Sequence, residues 1–479
     1  MMTTEAPYTS LVEVPGIHAR IIEYFSSGTT RPLSYRRRQL IQLARLVQEN
    51  LVVIEDALLT DLGKQRQEST FTETGPIIQA CITALNHLEE WAKPEKPQVE
   101  AWRASWDTTV YPVPKGVVLF ISPWNYPIIV SLLPMVGCIA AGCPAVLKPS
   151  EHSPATSNLM ARLFSEYLDP QAYVVVQGAI AQATALLDLP WGHIFFTGGG
   201  GAARHVAAAA AKFVTPLTLE LGGKNPVIID VDCDIKVAAK RTLFGKVQNC
   251  GQACVSPDYV LVPRVIAPAF YEALKEAYQL FFPTDPLLPE SSWGKIINEN
   301  HYHRIVKLIQ GTNGNVIIGG MSDSTRLRIA PTVVADIRSD DILMEEEIFG
   351  PVLSIVEVVD VDEAIRIVND RPHPLVLYAF TSNEETKDKV LNNTNSGTLA
   401  LNDTFTQLAV YEMPFGGHGA SGYGAYFRKD SFDTFTHRRS FINVPPAEEP
   451  NLGYRYQPYT EGSYKAMCSG AFDIKIPDV

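Results

Sequence analysis

Positive charge is scarce in this chain. Its 40 Lys and Arg residues are set against 52 Asp and Glu, a formal balance of −12 over 479 residues. A protein that neutralises phosphates needs a basic face, so nucleic acid is excluded as the main partner. The sharpest basic cluster, Arg36-Arg37-Arg38, reads as a solvated helix face. Cysteine is scarce too, with seven residues at 81, 138, 143, 233, 250, 254 and 468. An odd, scattered set in a long chain builds no disulfide framework and points to a reducing compartment, the cytoplasm. The Cys250/Cys254 pair has no second pair or His nearby, so no metal is expected. The first ten residues have neither the basic nor the apolar region of a secretory leader, and the last five match no lipidation signal.

One stretch lacks charge altogether. No Asp, Glu, Lys or Arg stands between Lys115 and Lys148, and Ile128 to Leu147 is nearly all apolar. Length alone suggests a membrane span. Pro123, Pro127, Pro134 and Pro144, with Gly142 beside the last, argue instead for a buried strand, a buried helix and a second buried strand. No integral membrane segment is expected.

What is present is an alternation of strands and helices. Leu40, Leu43, Val47, Leu51 and Ile54 recur at helical spacing, with Ser34 as candidate N-cap, and predict one long amphipathic helix. Strands are expected at Val117–Ile121, Ala145–Lys148, Tyr173–Val176, His193–Phe196 and Leu217–Leu221. Helices are expected between them at 128–141, 154–167, 179–187 and 202–212. That order implies a doubly wound parallel sheet, which binds nucleotides outside the carboxyl ends of its strands. A second α/β region follows, with helices at 237–247, 361–369 and 384–391 and strands at 259–262, 316–318 and 352–358. The segments Trp91–Pro112 and Thr436–Pro445 fit neither region.

Three motifs carry chemistry. Asn249-Cys250-Gly251-Gln252-Ala253-Cys254 ends a predicted helix, and Gly251-Gln252 is read as breaking it and leaving the Cys254 thiol on a loop, as a nucleophilic thiol requires. Glu220 stands in Leu219-Glu220-Leu221-Gly222-Gly223-Lys224-Asn225-Pro226, 34 residues before Cys254. From the residues alone it is either a surface carboxylate at a turn or a ribose-binding acid, since it lies 22 residues after Gly198 in a run that matches a dinucleotide fingerprint. Asn125 follows Trp124 in a Pro-bracketed loop, where most asparagines only cap backbone.

Together these motifs, with Lys148-Pro149-Ser150-Glu151, Glu346-Glu347-Ile348-Phe349-Gly350-Pro351 and Pro414-Phe415-Gly416-Gly417, resemble the aldehyde dehydrogenase superfamily over roughly residues 20–445. The run Ser431–Arg439 is especially similar to its class 3 branch, which includes fatty-aldehyde dehydrogenases and fungal apocarotenal-oxidising relatives. The resemblance implies an NAD(P)-binding domain over 1–92 and 113–219 and a catalytic domain over 220–435. It further implies a small β oligomerisation arm over 93–112 and 436–455, a tail over 456–479, and a homodimer. It implies oxidation of an aldehyde to the acid, with Cys254 as nucleophile, Asn125 and the Cys254 N–H as oxyanion donors, and Glu220 as the base that activates water. Trp124, Lys148, Glu151, Gly178, Gly198, Gly199, Glu347 and Phe349 are then expected at the cofactor, NAD with NADP possible. Tyr126, Phe244 and Phe427 are expected at the substrate.

The chain departs from the family at Gly199, where a hydroxyl is usual, at Ala203, and at Phe427-Arg428, where class 3 relatives have His-Gly. Phe427 is expected to make the substrate mouth more apolar, favouring medium- or long-chain or isoprenoid-like aldehydes. A CoA-acylating enzyme, a branch that often lacks the base at Glu220, and a non-catalytic NAD-binding scaffold are the other two readings. Cys250 is read as a buried thiol at a packed helix end, or as a redox trap for Cys254.

Overall fold

Strand-helix alternation organises the computed structural model, which describes residues 8–472 and 475–477. Residues 1–7, 473–474 and 478–479, on which the leader and lipidation readings and the ends of the 1–92 and 456–479 expectations fall, lie outside them. A six-stranded sheet has the order Gly422–Tyr423, Leu217–Glu220, His193–Thr197, Val118–Ile121, Ala145–Lys148, Tyr173–Val175. All its pairings are parallel except the first, where Gly422 faces Glu220 in antiparallel register. The strand of this sheet that comes first in the chain, Val118–Ile121, thus lies in its middle, and the direction of winding reverses between it and His193–Thr197. Such a reversal opens a crevice beyond the carboxyl ends of the two strands.

A seven-stranded sheet follows in the order Thr398–Leu401, Val376–Phe380, Asn225–Ile229, Pro257–Pro263, Val352–Val358, Thr332–Ala335, Asn315–Ile318. Only its last pairing is antiparallel. The central strands are buried along their whole length, as strands covered on both faces must be. Both sheets belong to one compact unit, which runs to Trp91 and resumes over Pro114–Thr436. Ala92–Val113 and the chain from His437 onward form a second, smaller unit. Thr109–Pro114 and Thr436–Phe441 pair as a two-stranded sheet, and the tail carries a helix at Glu461–Phe472.

The charge-free stretch folds as a strand, the helix Ile129–Ala141 and a second strand, nearly all buried. Among the described residues no helix is long and apolar enough to cross a membrane.

Three local expectations need correction. The single long helix from Ser34 is two, Leu33–Gln48 and Leu51–Leu62. Asn50 leaves helical geometry at φ −118° and ψ 20°, and its side chain donates to Leu46 O at 3.0 Å. Pro32, not Ser34, stands at the first N-cap, where no side chain closes the helix end. Arg36 is not solvated. It is buried and donates to Ala140 O at 3.0 Å, while Arg37 pairs with Glu89 on the surface.

Candidate active site

The crevice at the reversal point gathers the residues read as cofactor ligands. Beyond Ile121 the chain turns through Ser122-Pro123-Trp124-Asn125. Beyond Thr197 it passes Gly198 and Gly199 into the 14-residue helix Gly200–Phe213. A Cβ at position 199, 200 or 201 would meet nothing within 4 Å, so the start of this helix is open to an anion such as a pyrophosphate. Gly198 N–H donates to Glu220 O at 3.1 Å. Lys148 ends its strand nearly buried, and its ammonium lies 2.9 Å from the Glu151 carboxylate. Burial raises Glu151, but the Lys148 hydrogen bond, a backbone N–H and the Lys148 and His152 charges together outweigh it, and the carboxyl lies below its usual range. Gly178 follows the outer strand Tyr173–Val175, where a Cβ would overlap the Gln182 side chain.

The rings of Trp124 and Phe349 meet edge to face at 5.4 Å. His301, which nothing in the sequence marked, packs 5.1 Å from Trp124, and its buried Nδ1 has no hydrogen-bond partner. Burial, then the Arg304 and His152 charges, push this imidazole down to about 4, so it is neutral at pH 7. This arrangement fits a bound dinucleotide: an open helix N-terminus, a paired Lys and carboxylate, and a ring-lined slot.

Cys254 arrives from the other sheet. The helix Ile235–Val247 ends at the residue the sequence suggested, but the chain leaves helical geometry at Gln248 and Asn249, ahead of the Gly251-Gln252 pair read as its breaker. The cause is a left-handed turn of three residues, with φ 48° at Asn249, 55° at Cys250 and 72° at Gly251. Such values are rare outside glycine. At Gly251 any side chain would overlap the Gly350 carbonyl, so the turn and the Phe349-Gly350 loop are fitted to each other. Cys250 is therefore not at a helix end. It is buried in this turn, its sulfur facing Gly294.

Hydrogen bonds hold the turn. Asn249 N–H donates to Glu68 Oε1 at 2.7 Å, and its side-chain amide donates to Asn125 O at 2.8 Å and Gln252 O at 3.1 Å. Asn125 returns a bond from Nδ2 to Gln252 O at 3.1 Å, which leaves its second amide hydrogen free. Asn225, a residue of the Glu220 motif to which the sequence assigned no role, donates to Cys254 O at 2.7 Å and Ser256 O at 3.0 Å.

Glu220 is not a surface carboxylate. It is 4% exposed, and neither side-chain oxygen has a protein partner among the described residues. Burial alone holds its pKa well above the carboxylate range. Glu347 is half-buried, its carboxylate against Gly222, where a Cβ would overlap it. Burial, then the Asp258 charge, push Glu347 up to about 8, against the Gly223 N–H and the Lys246 and Lys224 charges. Burial, then Glu347 and Glu220, push the Cys254 thiol up to about 12, against the N–H groups of Cys254 and Val255.

The thiol lines a cavity of about 330 Å³ together with Tyr126, Phe244 and Phe427. Phe427 is a buried wall residue, not part of the mouth. It holds φ 98°, stacks on Phe415 at 5.3 Å, and donates its N–H to Ser431 Oγ at 2.9 Å. Phe71 and Phe244 are the exposed aromatic residues of the cavity.

A thiol, an unpartnered buried carboxylate and an amide beside a nucleotide crevice match the family that the motifs resemble. The sequence profile of the aldehyde dehydrogenase family matches residues 19–441. The chain belongs to the aldehyde dehydrogenase family. It is similar to the rat protein named aldehyde dehydrogenase, dimeric NADP-preferring, at 41% identity over 92% of this chain and 96% of that one. It is similar to the Arabidopsis thaliana protein named aldehyde dehydrogenase family 3 member H1 at 39% identity, over 94% of each chain. A substrate-bound Staphylococcus aureus AldH structure superposes with TM-score 0.92 at 36% identity, over 95% of this chain and 99% of that one. The enzyme is thus an oxidoreductase that oxidises aldehydes with NAD(P).

In this aldehyde dehydrogenase the thiol is predominantly protonated at neutral pH, which has a measurable consequence. Alkylation of the ligand-free protein by iodoacetamide, corrected with a Cys254→Ala control, should rise close to tenfold per pH unit from pH 7 to 10, because only the thiolate reacts. Glu347→Gln should accelerate it, and only above about pH 8, where Glu347 is ionised and opposes the thiolate. A rate that levels off by pH 8 contradicts this ordering of the two groups.

Proposed function

We propose that Cys254, Asn125 and Glu220 carry the oxidation. The observation that supports this most directly is the buried convergence of thiol and unpartnered carboxylate beside an apolar cavity. The Cys254 thiolate bonds to the aldehyde carbon and gives a thiohemiacetal. The free N–H of the Asn125 side chain and the Cys254 backbone N–H hold the oxygen as it gains charge, an interaction whose loss typically costs ~10²–10³ in rate. Bound nicotinamide supplies the acceptor for the hydride that leaves this carbon. Glu220, with no protein partner to occupy it, takes a proton from water as the water attacks the resulting thioester. The acid departs and the thiol is restored.

Trp124, Lys148, Glu151, Gly178, Gly198, Gly199, Glu347 and Phe349 are the residues we assign to the cofactor. The Glu151 carboxylate suits the free 2′-hydroxyl of NAD, while Lys148 beside it can offset a 2′-phosphate, so NADP is a second acceptor. Glu151→Gln should raise the NADP-to-NAD ratio of kcat/KM by about tenfold, as expected for removal of one partly screened like charge. An unchanged ratio would move the 2′ position away from this residue.

The substrate we infer is a medium- or long-chain or isoprenoid-like aldehyde. The hydroxyls of Thr72, Thr404 and Thr406, which line the cavity, all donate to backbone carbonyls, and Asp403 accepts the Thr404 N–H. The walls therefore make few polar demands on a ligand, and Tyr126, Phe244 and Phe427 supply apolar contact. A cytoplasmic homodimer is the assembly we propose. The buried thiols of Cys81, Cys138 and Cys143 suit a reducing compartment, and the rat relative is named as dimeric.

NADH or NADPH absorbance with hexanal, decanal and retinal, each with and without CoA, tests the reading. The expected result is CoA-independent reduction that favours the longer aldehydes. Reduction that requires CoA would indicate acyl transfer, and none with any pair would indicate a scaffold. Cys254→Ala should abolish the reaction. Glu220→Gln should keep a stoichiometric NADH burst while turnover falls by about 10² or more. Phe244→Ala should raise KM for decanal by about three- to tenfold, the scale of one lost apolar contact, and leave hexanal nearly unchanged.

A further inference from the structure

Beneath the Asn125 loop lies an ion pair that the chemistry described so far does not use. Lys64 Nζ and Glu73 Oε1 are 2.6 Å apart, and both side chains have no exposed surface. Lys64 follows the helix Leu51–Leu62. Glu73 lies in a single turn of π-helix, Thr70–Thr74, a geometry that recurs at functional sites. A buried pair is costly to desolvate, and an apolar pair of similar volume is often as stable, so burial by itself does not explain these residues.

Among the described residues, their remaining side-chain hydrogen bonds fall on one short stretch of chain. Lys64 Nζ donates to Asn125 O at 3.3 Å and sits 3.9 Å from the centre of the Tyr126 ring. Glu73 Oε2 accepts the N–H groups of Ile128 and Ile129, at 3.1 and 2.9 Å, which open the helix Ile129–Ala141. The cation thus holds one end of Asn125–Ile129 and the anion the other. Asn125 O also accepts from Asn249, so it is fixed from two sides. Among the described residues, every side-chain hydrogen bond of the pair outside itself is to backbone of this loop.

We propose that Lys64 and Glu73 are positioning residues that set the Asn125 amide for the oxyanion, a proposal that rests on the oxyanion role of Asn125. Removing both charges frees the loop to shift by fractions of an ångström. A displacement of about 1 Å in such a site lowers rates by about 10²-fold. The thiol, anchored from Asn225 and the left-handed turn, keeps its place.

The test separates position from stability. Lys64→Met and Glu73→Gln are each expected to lower Tm, because each leaves a buried charge unpaired. The double variant is expected to regain Tm to within about 5 °C of the parent. Its pre-steady-state NADH burst should nevertheless remain about tenfold or more slower, short of the 10²–10³ for outright loss of a donor. Alkylation of Cys254 by iodoacetamide, a displacement with no oxyanion, should match the parent within about twofold, and NAD affinity should hold. Recovery of the burst together with Tm would overturn the proposal, as would a parallel loss of alkylation and burst. If the Met-containing double variant does not fold, Lys64→Gln with Glu73→Gln keeps polar packing while the Gln side chain, one bond shorter, falls short of Asn125 O. The same outcomes decide the matter. Failure of the underlying reading is distinguishable, since Asn125→Ala would then keep an NADH burst near the parent rate.

Discussion

The hydrogen bond from the Asn249 side chain to the Asn125 carbonyl joins the two halves of the site. Asn125 belongs to the loop after the first strand of one sheet, and Asn249 to the turn that precedes the other sheet's second strand. A thiol and an oxyanion donor that ride on different sheets stay in register only if their loops share atoms. Here they share two carbonyls, that of Asn125 and that of Gln252, each accepting from the opposite or the same loop. The left-handed turn follows from this constraint. A continued helix would carry the Asn249 amide away from Asn125, so three residues adopt an uncommon conformation that the surrounding bonds hold in place.

Electrostatics imposes a second constraint. Desolvation opposes the ionised forms of Cys254, Glu220 and Glu347, and the two carboxylates further oppose the thiolate. The three groups do not carry three negative charges together. In the ligand-free protein the thiol keeps its proton at neutral pH, burial holds Glu220 above the carboxylate range, and Glu347 titrates near pH 8. A positive charge brought among the three would favour every ionised form at once. The site is therefore quiet by default, and the nucleophile gains strength when the surroundings change.

The parallel strands of the first sheet were legible because buried strands and the helices between them alternate in the chain, with boundaries that hold to within two residues, whereas Asn225–Ile229, Thr332–Ala335, Val376–Phe380 and Thr398–Leu401 of the second sheet went unread. The helix from Ser34 was misjudged because its apolar spacing runs on past Asn50, whereas the break depends on one side chain bonding to Leu46. Arg36 was misjudged because the carbonyl that receives it, that of Ala140, is over a hundred residues away. The same reason hid Lys64, Glu73, Asn225 and His301. Each is an ordinary residue in the sequence and becomes functional only through partners that folding brings in. Glu220 could be read two ways from the spacing of its glycines. The buried carboxylate, without a protein partner, favours the base over the ribose ligand.

Burial explains why polar order is concentrated at one end of the cavity. Where Ile129, Leu133 and Phe427 line the walls, the side chains offer the reacting carbonyl no hydrogen bond, and one made beside such apolar surface is worth more than in water. The same apolar walls make any misplaced polar group costly. Asn125 must therefore be aimed before the substrate arrives. That demand accounts for two donors converging on its carbonyl, one from Lys64 and one from Asn249, where backbone geometry alone would use a single one.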